Sequence, residues 1–408
     1  MNSIHNFQLG DNLLNKVFFE RYRLVEKLGE GTFGMIFKCE SSDGLCAFKF
    51  EKKRPNKKTL LKTESEMMIY LKGPGIPRII SYIEESDYNI MIMELLGKSL
   101  ESLLKHSENK KLSLKSVCLF GIQALKILKS IHDKHIIHRD IKPDNFAIGY
   151  SDPKRIYLLD FGLAKKYRSS KTLEQRPMQR NKKLTGTARY ASINALAGCD
   201  QSRRDDLEGL SYVMAYLLRG NLPWQGLLVK TKEEKYSKIL QIKRNISSEE
   251  LLKGFPKEMI RFLEYCKNLT YEQEPDYGFL KGLLEKVIVE NLGEKIDNKF
   301  DWIKEEIDLS NSIKEDYIES GENGLNNMSL VNNLNSTERD INLSKVSEIS
   351  KKDKNHAKKS DKKENYYDDV MNENKLDKNE DWKDKKDEED TGIAGVRDRK
   401  HAACCSVF

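Results

Sequence analysis

Hydrophobic and polar positions alternate between residues 22 and 50, and this period of two predicts a meander of half-buried strands. Residues 59–71 are predicted to form a helix, and the apolar run 88–94 predicts a buried strand. That run continues into Leu95-Leu96-Gly97, which we interpret as the hinge between a small strand-rich lobe and a larger helical lobe. Residues 1–20 are polar with few apolar positions, so we expect an extension that packs loosely.

From Ser99 onward, apolar residues recur at helical spacing. They predict one helix with Leu100, Leu103 and Leu104 on one face, and a longer one with Val117, Phe120, Ala124, Ile127, Leu128 and Ile131. These residues are assigned to the core and not to chemistry. His132 and His135 end the longer helix and are interpreted as helix-terminal histidines, because a metal site would need more ligands.

Glycine recurs as GxGxxG in Gly29-Glu30-Gly31-Thr32-Phe33-Gly34, between two predicted strands. A dinucleotide-binding fingerprint needs a strand before it and a helix after it, so that interpretation is excluded. Between strands, the motif suits a lid over nucleotide phosphates, because glycines let backbone N–H groups approach the oxygens. Taken alone, the stretch could equally be an ordinary glycine hairpin.

A candidate nucleotide site continues in the next strand, where alternation places Ala47 and Lys49 on one side. Ala47 could form the floor under an adenine while Lys49 reaches phosphate. Glu64, on the predicted helix 59–71, is assigned as the ion-pair partner of Lys49. Glu66 is the alternative partner, but it faces another side of that helix.

The residues with the most specific chemistry lie in Ile136–Asn145. Asp140 is placed to accept the proton of an attacking hydroxyl, Lys142 to neutralise charge on the transferred phosphate, and Asn145 to hold a metal ion. Asp160, in Asp-Phe-Gly 15 residues after Asn145, offers a second carboxylate for that metal. A single aspartate in a loop is usually only solvated, whereas this ordered set predicts phosphoryl transfer.

Composition divides the chain of 408 residues into two parts. Residues 303–408 hold 19 Lys+Arg and 25 Asp+Glu, a net charge of −6, whereas residues 1–302 hold 52 and 39, a net charge of +13. A basic body suits nucleic acid or acidic protein substrates. We find no nucleic-acid-binding motif and expect no nucleic acid partner.

Seven cysteines are scattered without metal-ligand spacing, and no signal-peptide pattern or run of about 18 apolar residues occurs. We therefore expect a reduced, cytoplasmic protein without a membrane span.

Together these motifs resemble the eukaryotic protein kinases and, more closely, the casein kinase 1 family. The general resemblance rests on Gly29, Gly31, Gly34, Lys49, Glu64, Asp140, Lys142, Asn145 and Asp160. The closer one rests on the segments 94–97, 142–146, 160–168, 184–194, 201–208 and 222–227, and it ends near Phe300-Asp301-Trp302. Most kinases have Ala-Pro-Glu where this chain has Ser192-Ile193-Asn194, and that departure is itself a mark of the casein kinase 1 group.

The resemblance implies an α+β, two-lobed kinase fold that binds ATP and Mg²⁺ and phosphorylates serine or threonine in proteins. It divides the chain into an extension (1–20), an N-lobe (21–96), a C-lobe (97–302) and a polar tail (303–408). A monomer is expected. The nucleotide site it implies comprises Leu28, Gly29, Gly31, Gly34, Ile36, Ala47, Lys49, Glu64, Met93, Glu94 and Leu96, with Asn145 and Asp160 as magnesium ligands.

Substrates of this family are often primed by a phosphate or acidic group three residues before the target. The resemblance assigns the corresponding anion site to Arg189, Gly226 and Lys235, with Lys182 nearby. An arginine fork, a backbone N–H and a lysine together suit a phosphate. For Lys235, a solvated helix face is the alternative.

Two further features follow from the resemblance. Asp206 resembles the buried aspartate that braces the catalytic loop of kinases from below. Family members are generally active without activation-segment phosphorylation, although Tyr167, Thr172 and Thr185 are candidate phosphorylation sites.

A catalytically silent kinase fold is the competing class, but such relatives usually lose the lysine or one of the aspartates, and all are present here.

After Trp302 the composition turns polar, and we expect disorder. Ser344, Ser347 and Ser350 are spaced by three, as a priming relay with an autoinhibitory tail would require, although chance spacing is common. The sequence ends in Cys405-Ser406-Val407-Phe408, which fits a prenylation motif, and Cys404 could take a second acyl chain. Peripheral membrane association through a prenyl or palmitoyl group is therefore expected, with inert tail cysteines as the alternative.

Overall fold

The structure is a computed structural model that describes residues 13–31, 34–53 and 59–303. Its N-terminal lobe is a six-stranded antiparallel sheet with one helix packed on it. The elements are β1 (Val17–Phe18), β2 (Tyr22–Gly31), β3 (Gly34–Ser41), β4 (Gly44–Lys52), α1 (Leu60–Leu71), β5 (Ile79–Glu84) and β6 (Tyr88–Glu94). The strands lie in the order β1-β2-β3-β4-β6-β5. The predicted meander, helix and buried strand are confirmed.

Side chains of β4 alternate between two environments. Cys46, Phe48 and Phe50 belong to the hydrophobic core of the lobe. Ala47 and Lys49 lie on the other face, and Ala47 is paired in register with Met93 of β6. The period of two along the sequence therefore determines which side chains face the core and which lie on the opposite face of the sheet.

Residues 13–20 differ from the loosely packed extension that was expected. Leu13 and Phe18 are only 2% and 1% exposed, and β1 pairs with β2. The Phe18 ring packs between Phe48 and Phe50, with centroid distances of 6.1 and 5.5 Å. The expectation was wrong for these residues because so few apolar positions give no period, although Leu13 and Phe18 each fill a place in the core.

Phe18→Ala is expected to reduce the free energy of unfolding of the strand-rich lobe by about 3 kcal/mol, since a buried aromatic ring is removed from a closed core. A urea titration followed by circular dichroism measures this. Val17→Ala, at a side chain that is 56% exposed, is the matched control. A loss below about 1 kcal/mol for Phe18→Ala would show that β1 contributes little to the core.

The second lobe is mainly helical. Its strands are β7 (Leu96–Ser99), β8 (Ile136–Ile137), β9 (Phe146–Gly149), β10 (Ile156–Leu158) and β11 (Lys165–Lys166). Its helices are α2 (Leu100–His106), α3 (Leu114–Asp133), α4 (Ile193–Leu196), α5 (Arg203–Arg219), α6 (Lys232–Asn245), α7 (Ser248–Leu251), α8 (Lys257–Asn268) and α9 (Tyr277–Lys286). Helix α3 packs on α5 and α9, and α5 also packs on α8, so α5 is buried along nearly its whole length.

Two small sheets place the loops that carry the predicted chemistry. In the sheet β10-β9-β7, the β9–β10 hairpin joins the end of the catalytic loop, which we define as residues 138–145, to Asp160. In the other sheet, β8 pairs with β11, which follows Asp160. The catalytic loop and the Asp-Phe-Gly segment are therefore held side by side at both ends.

In the part of the chain that the structure describes, no helix has the length and apolar character needed to cross a bilayer. The predictions about the serine spacing in the tail and about Cys404 and Cys405 lie outside the described residues.

Candidate active site

The predicted ion pair between the strand and the helix of the N-terminal lobe is present. Lys49 Nζ lies 2.8 Å from Oε1 and 2.7 Å from Oε2 of Glu64. Both side chains are largely buried, with 17% and 6% of their surface exposed. Lys49 is therefore bound to Glu64, and Glu66 does not take this place.

The electrostatics of this pair involve a third group, Asp160. Burial opposes the charge of Lys49, but Glu64 and Asp160 outweigh it, so the pKa of Lys49 lies above its ordinary value. Burial raises the pKa of Glu64 against the opposing effect of Lys49, and taken alone this would favour a neutral acid. Because one ammonium group makes short contacts with both carboxyl oxygens, we assign the charged pair.

The end of α1 is held from the other lobe. Lys134, just after α3, directs its ammonium group to the carbonyl oxygens of Tyr70, Leu71 and Lys72 at 3.2, 3.1 and 3.4 Å. These are carbonyls at the C-terminal end of α1, where a cation is favourable. Burial lowers the pKa of Lys134. The helix that carries Glu64 is thus capped by a lysine of the helical lobe.

Asp140 lies at the centre of the catalytic loop and is only 5% exposed. Its Oδ1 accepts a hydrogen bond from Thr187 Oγ1 at 2.7 Å, and its Oδ2 lies 2.5 Å from Lys142 Nζ. Asn145 Nδ2 donates to the Asp140 carbonyl oxygen at 2.9 Å. Gly186 approaches so closely that a Cβ there would lie 2.2 Å from the Arg139 carbonyl oxygen, which explains the glycine.

The catalytic loop is braced by Asp206 at the start of α5. Its Oδ2 accepts from the backbone N–H of His138 at 2.8 Å, and its Oδ1 accepts from the N–H of Arg139 at 2.9 Å. His132 Nε2 lies 2.9 Å from Oδ2 and His132 Nδ1 lies 2.6 Å from the Tyr277 hydroxyl. Burial alone would raise the pKa of Asp206, but the hydrogen bonds and charges of its partners lower it.

Asp160 and Asn145 offer oxygen ligands to a cation. Asp160 has a left-handed backbone (φ 62°), and its Oδ1 accepts only a long hydrogen bond of 3.4 Å from the Gly162 N–H. The amide nitrogen of Asn145 is used on Asp140, which leaves the amide oxygen for a metal. A carboxylate and an amide oxygen fit a hard divalent cation. No cluster of three or more His, Cys, Asp or Glu residues suited to a metal occurs within the described residues.

A cleft of about 1380 Å³ lies between the two lobes. Four residues predicted to contact the nucleotide line it, namely Leu28, Gly29, Ile36 and Leu96. Lys49, Glu64 and Asp160 line a separate small cavity, and Ala47 and Met93 are neighbours in adjacent strands.

Two residues assigned to the nucleotide site, Gly34 and Glu94, also have structural roles in the fold. A Cβ at Gly34 would lie 1.6 Å from the Phe50 carbonyl oxygen, so the approach of β4 by itself requires glycine. The Glu94 carboxylate accepts from the Arg78 N–H at 3.0 Å and from the Tyr157 hydroxyl at 3.2 Å. The side chain of Glu94 therefore ties the hinge to β10. The Glu94 N–H is also engaged, because it donates to the Arg78 carbonyl oxygen at 2.9 Å.

The predicted anion site is brought together in part. Arg189, Gly226 and Lys235 all line the same cleft as Asn145. Lys182, the fourth residue predicted for this site, does not line the cleft. Together with Arg139 and Arg176, it lowers the pKa of Lys165, for which burial is the largest cause. These four cations therefore bring together the catalytic loop, through Arg139, and the activation segment, through Lys165, Arg176 and Lys182.

Sequence reasoning missed three residues of this site. His132 was assigned only to a helix end, yet it binds Asp206. Thr187 was cited only as part of the segment 184–194 and Lys134 not at all, although one binds the carboxylate of Asp140 and the other caps α1. Only the position of Thr187, beside Gly186, carried a usable signal, because a glycine in an activation segment marks a close approach.

Comparison with known proteins agrees with this geometry. The family profile described as "Protein kinase domain" matches residues 22–276, more than half of the chain. The chain therefore belongs to the protein kinase family, whose members use ATP with a divalent metal ion. Among individual proteins, it is 42% identical over 286 residues to casein kinase I homolog 3 of Schizosaccharomyces pombe. The aligned region covers 69% of this chain and 65% of that relative, just under two thirds of the relative's length.

Proposed function

We propose that this protein is an active serine/threonine kinase of the casein kinase 1 type. The observation that carries the proposal is the state of Asp140, a buried carboxylate fixed by Thr187 on one oxygen and by Lys142 on the other. A carboxylate held in this way by Lys142 and Thr187, which both line a nucleotide-sized cleft, suits the acceptance of a proton from a hydroxyl. The complete set of kinase groups, with Lys49 bound to Glu64, argues against a silent binding module.

In the proposed reaction, the hydroxyl oxygen of a substrate serine or threonine forms a bond to the γ-phosphorus of ATP. The bond between that phosphorus and the bridging oxygen breaks, ADP leaves, and the hydroxyl proton passes to Asp140. Lys142 offsets the charge on the transferred phosphoryl group. Mg²⁺ is the proposed metal, because Asp160 and Asn145 provide oxygen ligands and no thiolate or imidazole.

We propose acidic or pre-phosphorylated protein segments as substrates. Arg189 and Lys235 line the same cleft as Gly226, whose backbone is left-handed (φ 67°). This group combines a planar guanidinium and an ammonium, both suited to a phosphate dianion. The net charge of +13 on residues 1–302 supports the same substrate class.

The test uses labelled ATP and Mg²⁺ with two peptides that differ only by a phosphoserine three residues before the target serine. Selective transfer to the primed peptide is expected. Transfer to neither peptide, with ATP binding intact, would overturn the kinase proposal. Equal transfer to both would overturn the substrate class alone.

Arg189→Ala is expected to lower kcat/KM for the primed peptide about tenfold or more, since one charge-assisted contact to phosphate contributes about 1.5–3 kcal/mol. The unprimed peptide should lose much less. Arg180→Ala, on the same activation segment outside the cleft, is the matched control. Equal losses on both peptides would show that Arg189 supports the fold of the segment and does not recognise the phosphate.

A further inference from the structure

Helix α6 contains a lysine that is buried in the helical lobe. Lys243 is 1% exposed, and its Nζ lies 2.5 Å from the carbonyl oxygen of Ala191 and 3.4 Å from that of Ala188. The same ammonium group lies 4.2 Å from the ring centroid of Tyr212 and 4.7 Å from that of Trp224. A buried lysine is unfavourable unless its partners favour the charge, and here two carbonyls and two aromatic faces do so.

Trp224 makes a further contact with the same stretch of chain. Its Nε1 donates to the carbonyl oxygen of Arg189 at 2.7 Å. Lys243 and Trp224 therefore bind three of the four carbonyl groups of residues 188–191, which we call the cradle segment. The cradle segment holds Arg189 and directly follows Thr187, the hydrogen-bond partner of Asp140.

We propose that Lys243 is a positioning residue for substrate selection, which fixes the backbone of the cradle segment and so directs Arg189 at the substrate phosphate. This inference rests on the proposed function. Lys243 touches neither the cleft nor the reacting groups, and it acts through Arg189.

The position of Lys243 on α6 gives it a second connection to the anion site. Lys235 is on the same helix, eight residues earlier, which corresponds to about 12 Å along the axis. One end of α6 therefore supplies a cation to the cleft while the other end holds the backbone that presents Arg189. A shift of α6 relative to the cradle segment would change the separation of the two cations that receive the phosphate.

The charges around Lys243 support a specific role for the ammonium group. The acid whose charge favours that of Lys243 is Glu208 of α5, which accepts from the Tyr212 hydroxyl and from the Ile193 N–H, both at 2.8 Å. Burial lowers the pKa of Lys243 to about 7, and Glu208 acts in the opposite direction. An uncharged side chain of similar length would leave carbonyl oxygens of the cradle segment without their donor and would remove one of the two lysine charges that favour the Glu208 carboxylate.

The test measures kcat/KM of the full chain for the primed and unprimed peptides. Lys243→Met is expected to lower the value for the primed peptide about tenfold and to lower the unprimed value less, so that the selectivity ratio falls several-fold. Lys238→Met, on the exposed side of α6 in an ion pair with Glu234, is the matched control and should retain the ratio.

A double-mutant cycle separates positioning from general stability. In an Arg189→Ala background, Lys243→Met should cause no further loss of the ratio, because both changes remove the same interaction. If Lys243→Met does not fold, Trp224→Phe removes the donor to the Arg189 carbonyl oxygen and should reduce the ratio in the same way.

The outcomes are distinguishable. A wild-type protein without selectivity would refute the proposed substrate class. A selective wild type whose ratio survives in Lys243→Met, or in Trp224→Phe where that variant is needed, would refute the positioning role alone. Additive losses in the cycle would also refute it.

Discussion

Asp140→Asn is expected to reduce kcat about a thousandfold, within the range of general-base contributions. The asparagine side chain has nearly the same shape and can still accept the hydrogen bond from Thr187, so the catalytic loop should keep its structure. It cannot take the proton of the substrate hydroxyl at neutral pH. The measurement is phosphate transfer to the primed peptide under single-turnover conditions, together with ATP binding.

For Asp140→Asn, the matched control is Asp133→Asn, at an exposed aspartate that pairs with Lys129. The control should keep wild-type transfer, and Asp140→Asn should keep ATP binding. A residual rate within about tenfold of wild type would show that Asp140 is not the base. Loss of ATP binding together with transfer would show that the residue supports the cleft.

Asp206→Asn is expected to lower the free energy of unfolding by about 3 kcal/mol. The carboxylate accepts hydrogen bonds from the N–H groups of His138 and Arg139 and contacts His132. An amide has one acceptor oxygen, and its NH₂ group would face a donor in a site that is 2% exposed. The catalytic loop begins at two of these partners, so kcat should also fall by at least about tenfold.

Thermal unfolding measures the stability effect of Asp206→Asn, and a fall in Tm of roughly 6 °C is expected. Because the folded pKa of Asp206 is lowered, its contribution to stability is present above the ordinary pKa of an aspartate and is lost as pH falls through the lowered value. The variant should therefore lose less stability than wild type on acidification. Unchanged Tm and unchanged acid sensitivity would contradict the bracing role.

The fold could be predicted from the sequence where a segment is long enough to repeat its pattern of hydrophobic and polar residues. The meander of β2, β3 and β4 and the long helix α3 follow from repeated patterns that fix which side is buried. Strand β1 was missed because two residues carry no period, and its place is fixed by pairing with β2 and by the rings of Phe48 and Phe50 on β4.

The candidate site was predictable where a motif fixes spacing, and unpredictable where the contact joins distant segments. Asp140, Lys142 and Asn145 lie within six residues of one another, so local geometry brings them together. His132 meets Asp206 across 74 positions in sequence, and no local signal encodes that contact. The family resemblance placed Lys182 near the anion site, but Lys182 does not line the cleft, and its charge acts on Lys165.

Lys134 has a consequence for inhibitors. A compound that binds only when α1 has swung away from Lys49 must first separate the ammonium group from three carbonyl oxygens of α1. That separation lowers the population of the swung-out state, and the observed affinity of such a compound falls by the same fraction. Compounds that occupy the cleft with α1 in place meet no such penalty. A screen against this protein should therefore yield mostly ligands that leave α1 in place.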